Sequence, residues 1–537
     1  MAERLNDFSC IVFSISTTSL SFIVQIRGDV VRFVQKLGAV ALFCFAACGR
    51  SGLGPLSSNV RETKRTESKE SEWVVLYYGL ADNNLAEDIR NDIREMESFG
   101  STEDIVFVGQ ADFDNNLVGD SDRRFVVKPR SGQKIRTGIK NLGFDAPVKE
   151  FAELDSGEPE VLKDFVAWAT KNFPAKNYAL ILSGHGYGYS ARVRGENEPV
   201  TPVEADKGAR LAQLSTQTSR GRPLFRYFSF DQVPRAGVEG KSVLTTPELA
   251  DVLSSARKAN GQPKIEVVVA DSCVSQTIEN AYALKGLTRV FVGSQESERA
   301  SGYDYQKTLM GLNDAVGAIH PLTRQIKPLD AEFFATTLLD SYADLNTNNT
   351  HVSAIRVNKL DPLVAGIKKM AVELLQRPQA VESWINDQSH YFGGILAPKM
   401  WVDIRKLTSD LEFSNAISCE TANQIQMSLT GLGKSCVNGN EISLPEGEKA
   451  VISSLTRGRG RVGMAHGLSM TFPGTIKVQS EKERTSVDWE IQVELGILES
   501  TVTQGPVGEL LNKVHCKPGK PCDFYGKKYV YGDALPL

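Results

Sequence analysis

Two side chains able to do covalent chemistry stand at matching places in this sequence. Cys273 closes the run IEVVVADSC, and His185 follows YALILSG. A cysteine attacks carbon only as thiolate, so it needs a base or a positive field close by. An imidazole titrates near neutrality and both takes and returns that proton. Acyl transfer also needs donors aimed at the developing oxyanion. Gly186 follows the histidine with no side chain to cover its N–H. The N–H of Cys273 is the second donor, on the expectation that a helix starts there. Taken alone, Cys273 reads more readily as a buried structural cysteine; the histidine one strand–helix unit earlier reverses that reading. Metal chemistry has no comparable support. No CxxC or HxxxH occurs, and His320, His351, His390, His466 and His515 stand in contexts that suggest no site.

The elements around these residues must bring them together. WVVLYYGLA from Trp73, IVFVG from Ile105, YALILS from Tyr178, IEVVVA from Ile265 and RVFVGS from Arg289 are apolar runs of buried strands. Between them lie helical patterns. Leu85, Ile89, Ile93 and Met96 recur at helical spacing behind the capping side chains Asp82, Asn83 and Asn84. PEVLKDFVAWATKNF and TTPELADVLSSARKA are two more helices, each with an early proline. RRFVVK reads as an antiparallel excursion. The fold class is α/β: a mostly parallel sheet flanked by helices on both faces, with ligands bound at the carboxyl ends of the strands. If the strands before His185 and Cys273 are neighbours, the two side chains emerge side by side. Residues 190–243 interrupt the rhythm as an inserted loop or a pair of short strands. Residues 73–345 form the catalytic unit and 346–537 a smaller α+β accessory unit.

The whole chain narrows the class further. At 537 residues it is too long for one small core. A net charge of −4 and a pI near 6.0 leave no electrostatic footprint for nucleic acid. Residues 1–48 are a signal segment: Arg32 and Lys36 precede an apolar run that ends in Phe45-Ala46-Ala47-Cys48. That ending resembles a bacterial lipobox with Phe45 in the usual place of leucine, which makes Cys48 the expected lipidation site. A plain signal-anchor helix is the alternative, and translation is expected to start near Val30 or Val31. Residues 49–72 are polar and charged, a flexible tether. The chain is therefore expected to be an exported, membrane-anchored lipoprotein, periplasmic or at the cell surface. Setting aside Cys10, Cys44 and Cys48, the close pairs Cys419–Cys436 and Cys516–Cys522 are disulfide candidates in an exported protein. That pairing leaves Cys273 over, although spacing alone does not fix connectivity.

Several spaced motifs carry a resemblance. GHGYGY after one strand, ADSC before TIENAYALKG, and GSQESERASGYDY after the next strand resemble the clostripain family of cysteine peptidases. YYGLADNNLAEDI, LDSGEPEVLKDFVAWATKNFPAKNYALILSGHG, WVDIRKL and HGLSMTFP are similar to that family too, over roughly residues 73–475. The resemblance implies a caspase-like fold and a dyad of His185 as base and Cys273 as nucleophile, acting on polypeptides. It implies cleavage after Arg or Lys, with Asp271 in the specificity pocket. A buried carboxylate there pairs with guanidinium or ammonium and rejects neutral side chains; capping the following helix is the competing role. Ser294 is the further substrate-binding candidate. The family also implies maturation between His and Cys, for which Arg210, Arg220 and Arg222 are available in the insert. Some members need calcium. Asp112, Asp114, Asp120 and Asp122 offer oxygens without EF-hand spacing, and a solvated turn is the favoured reading. Ser272, Val274-Ser275 and Tyr189 depart from the family pattern, but no reacting group is lost. The rival to an enzyme is a surface-binding lipoprotein on a peptidase-like scaffold, and a third reading is a related hydrolase with another preference. The presence of both His185 and Cys273 disfavours the idle scaffold.

Overall fold

The computed structural model of the chain describes residues 70–529 apart from 114–121, 128–148, 152–153, 187, 189–228, 232–241, 259, 262–263, 320–327, 346–349, 386–390, 393–400, 458–464, 473–499, 501, 516–521 and 525–526; before them it describes 11–16, 19–26 and 29–36. The chain divides into two compact units, Met1–Thr66 and Glu67–Leu537. In the first, three antiparallel strands, Ile11–Ser16, Ser19–Ile26 and Asp29–Lys36, pair in sequence order. The apolar run after Lys36, Cys48 and residues 49–69 of the tether lie outside the described residues.

The second unit is built on a nine-stranded sheet. Its strands are β1 (Ser71–Leu80), β2 (Ile105–Asp112), β3 (Arg123–Val126), β4 (Lys149–Glu150), β5 (Ala175–Ser183), β6 (Ile265–Asp271), β7 (Val290–Ser294), β8 (Thr350–Arg356) and β9 (Val451–Arg457). They lie in the order β9-β8-β7-β6-β5-β1-β2-β3-β4. The five central strands, β2-β1-β5-β6-β7, are parallel. The two strands at each edge are antiparallel. The expected excursion at RRFVVK is therefore β3, and the α/β class with a mostly parallel sheet holds.

The central strands carry long apolar runs because both faces of the sheet are covered. Every residue of β2 and β6 is buried. Alternation along β1 divides the interior into two cores. Val74, Leu76, Tyr78 and Leu80 pack with helices α2 (Pro159–Asn172), α3 (Thr246–Ser255) and α4 (Ile278–Ala283). Trp73, Val75 and Tyr77 face the other way, toward α1 (Ala86–Phe99), α5 (Tyr305–Ala315) and α6 (Ala331–Leu345). Helix α1 buries Ile89, Ile93 and Met96, as the spacing predicts. Helix α3 begins with a reciprocal capping box, Thr245 with Glu248.

The division drawn after residue 345 is not a division of the sheet. Strands β8 and β9 come from beyond it and complete the edge beside β7. They run antiparallel, so the strand–helix–strand rhythm that marks the parallel core stops at β7 while the sheet continues. Helices at Asp361–Leu375, Ile404–Phe413, Cys419–Thr430 and Pro506–His515 bury Leu363, Leu407, Ile425 and Leu510 in the same core as α2 and α3. Within the insert, Ser229–Asp231 and Ser242–Leu244 pair antiparallel, the short-strand alternative.

Cys419 and Cys436 form a disulfide across a sequence separation of 17. Cys516 lies outside the described residues, and Cys522 falls in a strand, Cys522–Phe524. A loop of this size removes about 3 kcal/mol of unfolded-state entropy. Cys436→Ser is expected to lower stability by about that amount, read by denaturant melts under non-reducing conditions.

Candidate active site

The ends of three adjacent strands, β1, β5 and β6, build the site. Ser183 at the end of β5 is in register with Gly79 of β1 on one side and Asp271 of β6 on the other. The chain order reverses direction across the sheet between β1 and β5, the place where open α/β sheets leave a crevice. Past β5, the Gly184 N–H donates to the Asp271 carbonyl (3.2 Å). Gly186 then lies directly on the backbone beyond β6. A Cβ at Gly186 would stand 2.5 Å from the Cys273 carbonyl oxygen and 2.6 Å from Ser272 Oγ. Only glycine permits that approach, and it carries the His185–Gly186 turn onto the Cys273 turn. The sequence-predicted pair is thus brought to one edge of the sheet.

His185 has a partner that the sequence reading missed. Its Nε2 lies 3.0 Å from Asn84 Oδ1. An amide oxygen only accepts, so in this contact the ring donates from Nε2. The expected capping role of Asn84 is not what the structure gives: α1 starts at Ala86 with Leu85 as its cap residue, and it is Asn83 Oδ1 that takes the Leu85 N–H. The available signal was position: Asn84 follows β1 as His185 follows β5.

The segment after β6 corrects two expectations. Helix α4 begins at Ile278 and is capped by Thr277, whose side chain accepts the Asn280 N–H. Cys273 therefore sits in a turn rather than at a helix N-terminus, and Asp271 caps no helix. The turn is strained at Val274, a β-branched residue held at φ 50°. It is pinned by Val274 N–H to the Glu296 carbonyl (3.1 Å) and Gln276 N–H to the Ser294 carbonyl (2.9 Å). Cys273 Sγ accepts the Glu298 N–H (3.2 Å). Burial pushes the thiol up to about 12, with the Glu298 carboxyl group as the next cause. In this form the sulfur is protonated at neutral pH, so it needs a base.

Asp271 lies at the centre of a buried acidic cluster. Its Oδ2 accepts the Tyr305 hydroxyl (2.6 Å). Ser183 Oγ sits between Asp271 Oδ2 (3.4 Å) and Asp92 Oδ2 (3.3 Å), and Tyr77 donates to Asp92 (2.7 Å). Burial raises Asp271 to about 6. Burial, and then the charge of Asp271, raise Asp92 well above the carboxylate range. Glu95 and Glu298 are raised by burial as well, and the charged neighbours that shift them are themselves acidic. Gly302, at φ 51°, passes over this cluster where a Cβ would stand 2.7 Å from Asp271 Oδ2. The arrangement suits a buried cation supplied from outside.

Ser294 does not line that cluster. It is buried, and its hydroxyl donates to the His351 carbonyl (2.6 Å) and accepts the Glu296 N–H (3.2 Å). Its role is to hold the turn that carries Glu296 and Glu298. Asp112 Oδ2 accepts the Ser156 N–H (3.1 Å) and Asp122 Oδ1 the Phe113 N–H (2.8 Å), so both brace backbone. Asp114, Asp120, Arg210, Arg220 and Arg222 lie outside the described residues. From the C-terminal half, the Trp401 indole packs on Gly188, where a Cβ would stand 2.8 Å away. Asp403, two residues on, accepts from the His466 ring (3.0 Å) and from Gln295 Nε2 (3.1 Å). WVDIRKL and HGLSMTFP thus brace the turns beside the candidate dyad.

A family model described as the clostripain family, peptidase C11, matches residues 77–201 and 222–456. Clostripain of Hathewaya histolytica is 30% identical over 135 residues, 24% of this chain; the chain spans only 26% of that relative's length. Among solved structures, a secreted C11 cysteine protease from Bacteroides thetaiotaomicron bound to an irreversible peptide inhibitor is 14% identical. It aligns with a TM-score of 0.46 over 80% of this chain and 99% of that one. An inactive zymogen C11 protease from Parabacteroides distasonis is 15% identical, with a TM-score of 0.47 over 81% and 97%.

Proposed function

The chain belongs to the clostripain family of cysteine peptidases, and from that premise we propose that it is a cysteine endopeptidase that cleaves after Arg or Lys through His185 and Cys273. The observation that carries the reading is the close seating of Gly186 on the Cys273 carbonyl and the Ser272 side chain. His185 takes the proton from Cys273 Sγ, and the sulfur attacks the scissile carbonyl carbon. The oxyanion is received by the N–H groups of Gly186 and Cys273, both on tight turns. Collapse breaks the C–N bond as the imidazolium returns its proton to the leaving amine. Water, deprotonated by His185, then releases the acyl group and restores the thiol. Asp271 receives the basic side chain.

Asn84 holds the ring in the tautomer this sequence needs. Asn84→Ala is expected to lower kcat about tenfold and to alter the acid limb of the pH–rate profile, with KM little changed. A purely structural asparagine would leave that profile where it was.

Export, lipidation at Cys48, anchoring to a membrane and self-cleavage in residues 190–243 belong to the same reading, supported by the signal-like segment and by the arginines of the insert. The purified chain is tested on matched fluorogenic peptides ending in Arg, Lys and neutral residues. Absence of hydrolysis, or hydrolysis without basic preference, would end the corresponding part of the reading. Intact-mass analysis of the native protein reads the lipid and any internal nick.

A further inference from the structure

The strained turn at Val274 is held by residues that no step of the chemistry uses. Its two pins are carbonyls of one short segment, Ser294 for the Gln276 N–H and Glu296 for the Val274 N–H. Gln295 lies between those carbonyls and is fully buried. Its side-chain Nε2 donates to Asp403 Oδ2 (3.1 Å), and its Oε1 accepts the Gly467 N–H (2.8 Å). Its backbone N–H donates to His351 Nδ1 (3.4 Å), in a ring that burial lowers to about 4 and so keeps neutral. All three partners come from beyond residue 345.

The turn itself is gripped from the same half. Gln276, also fully buried, donates from Nε2 to Ser353 Oγ (3.0 Å), and its carbonyl accepts the Ser469 N–H (3.1 Å). Ser353 Oγ in turn donates to the Gly467 carbonyl (2.5 Å). Gln276, Ser353, Gly467, Gln295 and Ser294 thus close a hydrogen-bonded ring beside the nucleophile turn. Apolar side chains could fill this space but would not fix its geometry, whereas a buried polar network does. A β-branched residue stays in a left-handed conformation only where its surroundings over-determine it.

We propose that Gln295 is a positioning residue for catalysis: clamped by Asp403 and Gly467, it keeps the turn in the strained form that sets Cys273 beside the His185–Gly186 turn. The proposal rests on the reading of Cys273 as the nucleophile. Releasing the clamp lets Val274 return to the extended backbone that valine favours, and the sulfur moves with it. A displacement of about 1 Å at a reacting atom costs on the order of 10²-fold in rate. The side chain of Gln295 is buried away from substrate, so the loss falls on kcat.

Gln295→Glu tests this, because it makes the clamp depend on a proton. One carboxylate oxygen still accepts the Gly467 N–H, while the other faces Asp403 Oδ2, and like charges so close do not both ionise. The other titratable groups at this point are the His466 ring on Asp403 and the His351 ring on the backbone N–H. At pH 8 kcat on a basic peptide is expected to fall about 10–100-fold below the parent, with KM changed by less than about twofold. The ratio of variant to parent kcat should climb toward one as pH is lowered to about 5.5, where a proton replaces the lost N–H donor. Denaturant melts at each pH confirm that both chains are folded, and a merely structural glutamine then leaves kcat at the parental value. A ratio near one at both pH values, or an equal loss at both, overturns the proposal and leaves the reading of Cys273 standing. Activity that survives Cys273→Ala in the parent overturns both. If Gln295→Glu does not fold, Ser353→Ala opens the same ring while Gln276 Nε2 keeps its bond to the residue 353 carbonyl (3.1 Å). A kcat lowered about threefold or more at unchanged KM then supports the proposal, and a parental kcat overturns it.

Discussion

Cys273→Ala is expected to lower kcat on a basic peptide by on the order of 10⁴–10⁶-fold, and His185→Ala to cost nearly as much. The reason is quantitative. With the thiol raised to about 12, only about 10⁻⁵ of it is ionised at pH 7 in the free protein. A sulfur so rarely charged cannot carry turnover without a base beside it, so the two residues must act as one unit. Removing the second partner should then add little to the loss of the first, and the double variant should fall close to either single one. Additive losses would mean that the residues work separately and would end the dyad assignment. Alkylation by iodoacetamide gives an independent reading. In His185→Ala its rate should climb about tenfold per pH unit through the alkaline range, without a plateau near neutrality. Activity that survives in Cys273→Ala would end the nucleophile assignment.

The parts of this site that were legible in the sequence are those set by local pattern. Trp73–Leu80, Ile105–Asp112 and Ile265–Asp271 are buried on both faces, and the apolar runs WVVLYYGL, IVFVG and VVVA within them say so. His185 and Cys273 could be placed at strand ends because those runs stop there. What stayed hidden depends on contacts between distant segments. Asn84 meets His185 across 101 residues, and Tyr305 meets Asp271 across 34; no period in the chain encodes either. The turn after Cys273 is hidden for a different reason. Valine favours extended backbone, so Val274 gave no hint of a left-handed turn imposed by its bond to Glu296. Strands β8 and β9 are separated by the helices Asp361–Leu375, Ile404–Phe413 and Cys419–Thr430, and antiparallel edge strands lack the crossover rhythm that identifies the core. Their membership in the sheet follows from pairing, which a pattern of single segments does not contain.

Asp271→Asn carries the second large effect, and it should move activity and stability in opposite directions. Loss of the charge that receives the basic side chain is expected to cut kcat/KM on Arg and Lys peptides roughly 10²–10³-fold, while neutral peptides change little. Stability follows from where the proton sits. Asp271 is raised from 3.8 to about 6 by burial, so between those values the folded chain holds a proton that the unfolded chain has lost. Its contribution to stability is therefore fully present below about pH 4 and is lost as pH rises through about 6. Above that range the folded protein carries an ion that burial disfavours, and this ion also raises Asp92 across the Ser183 hydroxyl. Asparagine keeps the shape and an acceptor for Tyr305 but has no charge to bury. Asp271→Asn should match the parent at pH 4 and exceed it at pH 8 by on the order of 2–3 kcal/mol. Denaturant melts at the two pH values measure this difference. A variant that loses both selectivity and stability at pH 8 would identify Asp271 as a structural acid instead. A variant that gains stability while losing selectivity would mean that the fold bears the cost of a buried carboxylate kept for the incoming cation.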